Sequence, residues 1–311
     1  MVGIGLVWNP RAGQNRRDPE GAKRLQRRLG DHGVVAAPQS LAELSRVAED
    51  FRKKEIRVLG IAGGDGTNHV TMTGFREVYG EDPLPTLAFL RGGTMNTVAD
   101  ALGVPRGKTE GLLDRLVVRC LESDLPTQAR PTLDVDGKLG FLWGVGVLPA
   151  FLQAYYDTGA PSPWTAVKTL TRAVGSALVG GELAKKMTRP VEVSMRVDGE
   201  EVAARSYLAV AAGTVADLGL GFRPFHLAPS LDDRFHLLSI HASPTQVVAD
   251  LPRIRRGKPM GDGHSTDRGV KVATVRVAGD SMSMMIDGDM LTIPRNEVTL
   301  RVGPTVRVVD L

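Results

Sequence analysis

Val58-Leu59-Gly60-Ile61-Ala62 runs directly into Gly63-Gly64-Asp65-Gly66-Thr67. An apolar run ends in three glycines that bracket one carboxylate, and a helical pattern follows. Glycine turns tightly at φ > 0 and lets a backbone approach a ligand closely. A helix that starts in such a turn aims its unpaired N–H groups and the positive end of its dipole at whatever occupies the turn. A phosphate suits that position, and Asp65 suits a general base or a metal contact there. The other reading is a sharp strand-to-helix turn in which Asp65 is only a cap. The rest of the chain has to decide between them.

Outward from this turn, the first 125 or so residues alternate strand and helix patterns. Strands are expected over 3–8, 34–37, 57–62 and 86–90. Helices are expected over 23–29, 41–52, 68–79, 95–102 and 112–120. Ser40-Leu41-Ala42-Glu43 has the form of a capping box. Gly103 and Pro105 stop the helix before them. Such alternation implies an α/β domain with a parallel sheet covered by helices. Near Pro126 the pattern changes. Strand-like segments over 132–135, 139–147, 191–197, 207–212, 235–241, 270–277 and 282–286 follow, with Asp136-Gly137 and Asp198-Gly199 as hairpin turns. A C-terminal antiparallel β-sandwich domain is expected, interrupted by helices over 164–179 and 245–255. The strands over 297–302 and 306–309 fit either domain.

Composition bounds the function. The chain has 311 residues, 42% hydrophobic and 24% charged, enough for one large domain or two ordinary ones. Aromatics are 5%, a poor supply of stacking platforms for single-stranded nucleic acid. The formal net charge of +4 fits an anionic ligand or surface but selects none. One cysteine, Cys120, allows no internal disulfide and no thiolate-rich zinc site. The six histidines show no metal-ligand spacing. No apolar stretch approaches the roughly 20 residues of a membrane span, and no targeting signal is visible. The expected location is cytoplasmic, with membrane contact, if any, peripheral at the inner face.

Ligands of open parallel sheets bind at the carboxyl ends of the strands. Three turns fall there: Asn9-Pro10-Arg11-Ala12-Gly13, Gly63 to Thr67, and Gly92-Gly93-Thr94-Met95-Asn96. Each offers backbone N–H groups, small residues and a short polar side chain. Together they form a phosphate cradle without a P-loop. The Walker pattern, the protein-kinase catalytic loop and a Gly-x-Gly-x-x-Gly after the first strand are all absent.

These motifs resemble the diacylglycerol-kinase-type catalytic domain, a group that includes bacterial lipid kinases, sphingosine kinases and ceramide kinases. The family's Asn-Pro-x-(Ser/Ala)-Gly loop is matched by Asn9 to Gly13. Its Gly-Gly-Asp-Gly-Thr turn is matched by Gly63 to Thr67. Its Gly-Thr-x-Asn turn and Leu-Gly-Val-Pro helix end are matched by Gly93, Thr94, Asn96 and Leu102 to Pro105. A late Asp-Gly-Glu-like turn is matched by Asp287-Gly288-Asp289. Gly-Gly-Asp-Gly alone is shared with NAD and fructose-phosphate kinases; the four motifs in order are more specific.

The resemblance implies a nucleotide-binding domain of residues 1–127 plus 292–311 and a β-rich lipid-substrate domain of residues 128–291. It implies an ATP- and Mg²⁺-dependent lipid kinase that phosphorylates a hydroxyl of diacylglycerol or a related lipid. ATP would lie on the first domain, against Asn9, Pro10, Gly13, Gly63, Gly64, Gly66, Thr67, Gly92, Gly93, Thr94, Asn96 and Gly288. Asp65 and Asp289 are the catalytic and metal-contacting carboxylates. Asp65, at a helix N-terminus, is expected to stay ionised. Asp289 stands where the family usually has Glu and is one methylene shorter. ATP and a lipid are the expected partners, with room for a homodimer and no nucleic acid. The alternatives are a catalytically degenerate nucleotide- or lipid-binding member and an NAD-kinase-like enzyme.

The departures from the family pattern lie mostly on the lipid side. Arg91 replaces a proline and reads as a solvated side chain or a phosphate contact. Thr97 replaces an acid, and Gln14-Asn15 replace a basic residue, with Arg16 and Arg17 close behind. Asp232-Asp233-Arg234-Phe235-His236 lacks the glycine and second acid of a structural Mg²⁺ element. Trp143-Gly144 stands where an Asn is common. His69 reads as a half-exposed histidine. Trp164, Val167, Leu170, Val174 and Leu178 recur at helical spacing, with Lys168 and Arg172 on another face and Lys185-Lys186 following. That helix either packs on its own core or lies on an anionic membrane. Arg253, Arg255, Arg256 and Lys258 form a basic patch.

Overall fold

Two units divide the chain: Met1–Arg130 with Thr305–Leu311, and Pro131–Pro304. The computed structural model describes residues 3–13, 15–122, 125–159, 162–178, 181 and 187–311. Gln14, Val179, Lys185 and Lys186 lie outside the described residues.

In the first unit, β1 (Ile4–Trp8), β2 (Gly33–Ala36), β3 (Val58–Ala62) and β4 (Thr86–Phe89) pair in parallel in the order β2-β1-β3-β4. Every residue of β1 and β3 is buried, as expected of parallel strands covered on both faces. The intervening helices are α1 (Gly21–Leu29), α2 (Leu41–Lys53), α3 (Asp65–Tyr79), α4 (Thr97–Ala101) and α5 (Thr109–Leu121). In α2, Leu44, Ala48 and Phe51 are buried, the 4–3 spacing of one helix face. Ser40 Oγ accepts from the Glu43 amide at 3.2 Å. The Glu43 carboxylate reaches back to the Gln39 amide rather than to that of Ser40, so the expected capping box is half made. The chain leaves β1 for β2 on one side and reaches β3 on the other. That is a topological switch point, and open sheets bind ligands beside it.

The second unit holds two antiparallel layers. One has the strand order β12-β11-β10-β7-β14-β15, with β7 Leu142–Gly146, β10 Ala209–Gly213, β11 Phe235–Ile240, β12 Ser265–Val270, β14 Met282–Ile286 and β15 Asp289–Ile293. The other runs β9-β8-β13-β16, with β8 Val191–Val197, β9 Glu200–Tyr207, β13 Val272–Val277 and β16 Glu297–Val309. Both layers contribute to one apolar core, in which Trp143, Val210, Phe235 and Met282 meet Val193, Met195, Val275 and Val298. β5 (Thr127–Val135) and β6 (Lys138–Gly140) form a further hairpin. The Asp-Gly pairs at 136–137, 198–199 and 287–288 all have φ > 0 at both positions. Those are type I′ turns, which carry the right-handed twist into the next strand.

The second unit departs from the sequence reading in several places. The expected strand over 139–147 breaks at Phe141 and ends at Gly146, whose φ is 80°. A helix, α6 (Val147–Tyr156), follows where no helix was expected. Its run of apolar residues carries no period that separates strand from helix, and Pro149 falls in the first turn, where proline is tolerated. β9, β12 and β15 were not expected either. The strands over 297–302 and 306–309 are one strand, β16, and its residues divide between the units at Pro304. The first unit is regained at Thr305, later than the expected 292, because the β14–β15 hairpin and the first half of β16 pair within the second unit.

Helix α7 (Pro163–Leu178) replaces the expected 164–179. Ala166 and Thr169 are buried, whereas Trp164 is 76% exposed and Val167 41%. Lys168 and Arg172 are exposed beside them. The two cations therefore share the outward face with Trp164 and Val167 instead of lying on another face. No helix among the described residues is long and apolar enough to cross a membrane.

Candidate active site

The three turns at the carboxyl ends of β1, β3 and β4 close on one another. After β1, Asn9 Nδ2 donates to Thr67 Oγ1 at 2.8 Å, and Asn9 Oδ1 accepts from the Arg11 amide at 2.9 Å. After β3, the Gly63 carbonyl accepts from the Gly92 amide of the third turn at 2.7 Å. A Cβ on Gly93 would collide with Gly64 Cα, and one on Gly13 with Thr94 Oγ1. Only glycine permits these approaches. Asn96 sits at φ 53° and locks the third turn, accepting from the Gly93 amide at 3.0 Å and donating to its carbonyl at 2.9 Å. Pro10 and Gly13 lie on the outer side of the first loop, half-buried and exposed. Gly66 and Thr67 occupy the first turn of α3, where helix geometry leaves the first four amides without intrahelical partners.

Asp65 is the first residue of α3 and is 9% exposed. Its Oδ2 accepts from the Thr97 amide and its Oδ1 from the Val98 amide, both at 2.8 Å. The carboxylate therefore caps the next short helix, α4, rather than projecting into open ligand space as a direct proton acceptor or metal ligand would. Burial pushes its pKa up to about 6, against the lowering effect of the Val98 and Thr97 hydrogen bonds. It still ionises below neutral pH.

Two further residues hold this surface together, and sequence reading assigned neither correctly. Asn15 is 4% exposed. Its Nδ2 donates to the Asn9 and Ala62 carbonyls, both at 2.9 Å, tying the first loop to the end of β3. Arg91 is buried, not solvated. Its guanidinium meets Asp100 Oδ1 at 2.6 Å and also bonds the Val104 carbonyl. It sits at φ 38°, and the long side chain crosses beneath α4. A lone Asn in a loop and a lone Arg beside glycines give no sequence signal of burial. His69 is also buried, at 4% exposure, rather than half-exposed.

In the second unit, the Asp287-Gly288 turn joins β14 to β15 and presents Asp289 at the start of β15. Asp287 is fully buried, and its Oδ1 accepts from the Phe141 and Leu142 amides at 2.9 and 2.8 Å. Tyr156 Oη donates to the Gly288 carbonyl at 3.2 Å. The turn is thus braced from β7 and α6 while Asp289 stays half-exposed. In the 232–236 segment, Asp233 is paired to Lys271 and Arg234 to Asp198, so salt bridges occupy the element that would otherwise carry a structural ion.

Residues 4–123 match the family model described as the diacylglycerol kinase catalytic domain. A diacylglycerol kinase of Bacillus subtilis (strain 168) is 23% identical over 288 residues, covering 91% of this chain and 88% of that protein. The crystal structure of a diacylglycerol kinase from Bacillus anthracis str. Sterne aligns at a TM-score of 0.65 and 18% identity, covering 100% of this chain and 97% of the other. A second crystal structure from the same organism aligns at a TM-score of 0.70 and 17% identity, with the same coverage. The fold is thus an N-terminal α/β domain with a C-terminal antiparallel β domain, and residues 4–123 of the first unit carry the similarity to the diacylglycerol kinase catalytic domain.

Proposed function

We propose that the chain transfers the γ-phosphoryl group of ATP to the hydroxyl of diacylglycerol or a related lipid. The closure of the three turns carries this reading: Gly92 onto Gly63, Asn9 onto Thr67, and Gly93 against Gly64. They set glycine amides and the start of α3 side by side at the switch point of the parallel sheet. Phosphoryl transfer depends on such positioning and charge neutralisation more than on covalent chemistry.

The residues divide the work as follows. The amides of Gly64, Gly66 and Thr94 and the Thr67 hydroxyl bind phosphate oxygens, and Asn9 and Asn96 fix the loops that present them. Asp65 is a positioning residue: it holds α4 and the third turn against α3. Asp289 accepts the proton of the attacking hydroxyl. Magnesium, when bound, neutralises phosphate charge. Hard carboxylate oxygens suit that ion, and the half-exposed Asp289 fits the role better than Asp65, whose two oxygens already hold amides. The outward face of α7 gives the enzyme a peripheral footing on an anionic bilayer, with Trp164 and Val167 entering the interface and Lys168 and Arg172 meeting headgroups.

The test is transfer of labelled γ-phosphate from Mg-ATP into an extractable lipid fraction. The acceptors are diacylglycerol, monoacylglycerol, ceramide and sphingosine, with Asp289→Asn as the control. A labelled lipid that disappears with the variant supports the reading and names the acceptor. ATP binding without transfer overturns it in favour of a binding protein, and label entering NAD instead identifies an NAD-kinase-like enzyme.

A further inference from the structure

The histidines are scattered in sequence, yet the fold gathers two of them with a carboxylate in the second unit, far along the chain from the three turns after β1, β3 and β4. His236 is the second residue of β11, and Asp267 lies on the neighbouring β12. In this antiparallel pair His236 stands opposite Gly269 and Leu238 opposite Asp267. His236 and Leu238 share a face, so His236 and Asp267 are diagonal neighbours on it. His236 Nε2 lies 2.9 Å from Asp267 Oδ1. From the segment before β11, His226 brings its Nδ1 to 3.7 Å from the same Oδ1. The three ligand atoms all lie within 4.8 Å of one another.

Three observations set this cluster apart from a simple histidine–aspartate contact. His226 Nδ1 is buried and has no hydrogen-bond partner, an expensive arrangement for a ring nitrogen with only a carboxylate nearby. The far side of the carboxylate is already oriented, since Ser265 Oγ donates to Asp267 Oδ2 at 2.8 Å. Such an outer hydrogen bond commonly holds a ligating group in place. The floor is aromatic and dry: His236 is fully buried, with the Phe225 ring edge-on at 5.7 Å and the His226 ring at 5.0 Å. His226 and Asp267 keep 15% and 19% of their side-chain surface exposed, which leaves one side open to water.

We propose that His226, His236 and Asp267 bind a divalent transition-metal ion, zinc above all, at a structural site of the second unit. Two imidazoles and one carboxylate suit zinc and its neighbours rather than magnesium or calcium, which take oxygen donors. Water fills the fourth position. The ion replaces the proton between His236 Nε2 and Asp267 Oδ1. In its absence the Leu227 amide faces His236 Nδ1 at 3.4 Å, which places the ring proton on Nε2. On binding, that proton moves to Nδ1, and the Leu227 contact, already long for a hydrogen bond, opens. The site ties the segment between β10 and β11 to β12, which stands at the edge of its sheet. Its role is independent of phosphoryl transfer.

The experiment uses the full chain, stripped with chelator and titrated with Zn²⁺ by calorimetry, with thermal unfolding and the visible spectrum of the Co²⁺ form read in parallel. One ion per chain is expected, with a raised unfolding temperature and the intense visible bands of four-coordinate cobalt. His226→Ala removes no hydrogen bond, so its fold should survive, and it should weaken binding about 100-fold. Asp267→Asn should do the same, whereas His264→Ala, at a separate His–Asp pair, should leave binding unchanged. Failure to bind zinc, binding unaffected by His226→Ala, or equal binding of Mg²⁺ would each overturn the assignment.

Discussion

Replacing Asp65 by asparagine should remove a pH dependence from the stability of the first unit. Burial raises the pKa of this carboxyl from its ordinary 3.8 to about 6. Each pKa unit corresponds to about 1.36 kcal/mol, so the difference is worth about 3 kcal/mol. The sign follows from proton binding. Between about pH 4 and 6 the folded state holds a proton on Asp65 that the unfolded chain has released, so stability falls as pH rises through this window and levels off above it. An asparagine at this position cannot ionise, and every other carboxylate is common to both proteins. The stability of the wild type minus that of Asp65→Asn should therefore drop by about 2.4 kcal/mol from pH 4 to pH 7, the rest of the difference falling below pH 4. At a urea m-value of roughly 3 kcal/mol/M, that is a relative shift of about 1 M in the midpoint. Urea unfolding followed by far-ultraviolet circular dichroism measures it, and hydrogen exchange of the 97–101 amides localises it. A difference that stays constant within about 0.5 kcal/mol across this range would refute the buried, amide-capping geometry.

Gly93→Ala should lower the unfolding temperature by an amount equivalent to about 1–3 kcal/mol, because the new methyl meets the Gly64 backbone. Gly111→Ala, in α5 with open space around it, should be stabilising by about 0.5–1 kcal/mol; calorimetry on the pair separates crowding from helix propensity. Asn9→Ala and Thr67→Val should each raise the KM for ATP about tenfold by losing the 2.8 Å link between loops, and the double variant should cost little more than either alone, because they share one interaction. Trp164→Ser should reduce co-sedimentation with anionic vesicles several-fold at low salt, and neutral vesicles should bind weakly; equal binding to both kinds would remove the α7 footing.

β1, β3 and β4 of the N-terminal sheet were legible because they are almost wholly buried and each runs into a turn that contains glycine. The strands that escaped notice share one property: β9, β12 and β15 all stand at sheet edges. β9 reads Glu-Glu-Val-Ala-Ala-Arg-Ser-Tyr, a pattern with one sheet face at most to bury and charges that suit an open edge. Helix α6 was missed for the opposite reason, since its apolar residues fit either period. At the candidate site, the turns carried their own signal in spacing and glycine content. The burial of Arg91 and the pinning role of Asn15 did not, because both depend on groups from other elements, Val104 and Ala62. Asp65 stood out in the sequence, but its partners, the amides of Thr97 and Val98, have no side-chain identity for a sequence to display.

The last strand carries a consequence for how the protein is made. Val308 of β16 pairs in parallel with Leu87 of β4, so the first unit's sheet acquires that neighbour only after the whole of the second unit has been translated. During vectorial synthesis the outer edge of β4 is therefore left open, with the hydrogen-bonding groups of a buried, apolar strand unprotected. Such an edge is a template for mispairing, and the closing contact spans a long sequence separation, which slows its formation. The nascent N-terminal unit is thus the part of this chain that most needs chaperone cover, and a pause in translation before residue 305 would prolong that exposure.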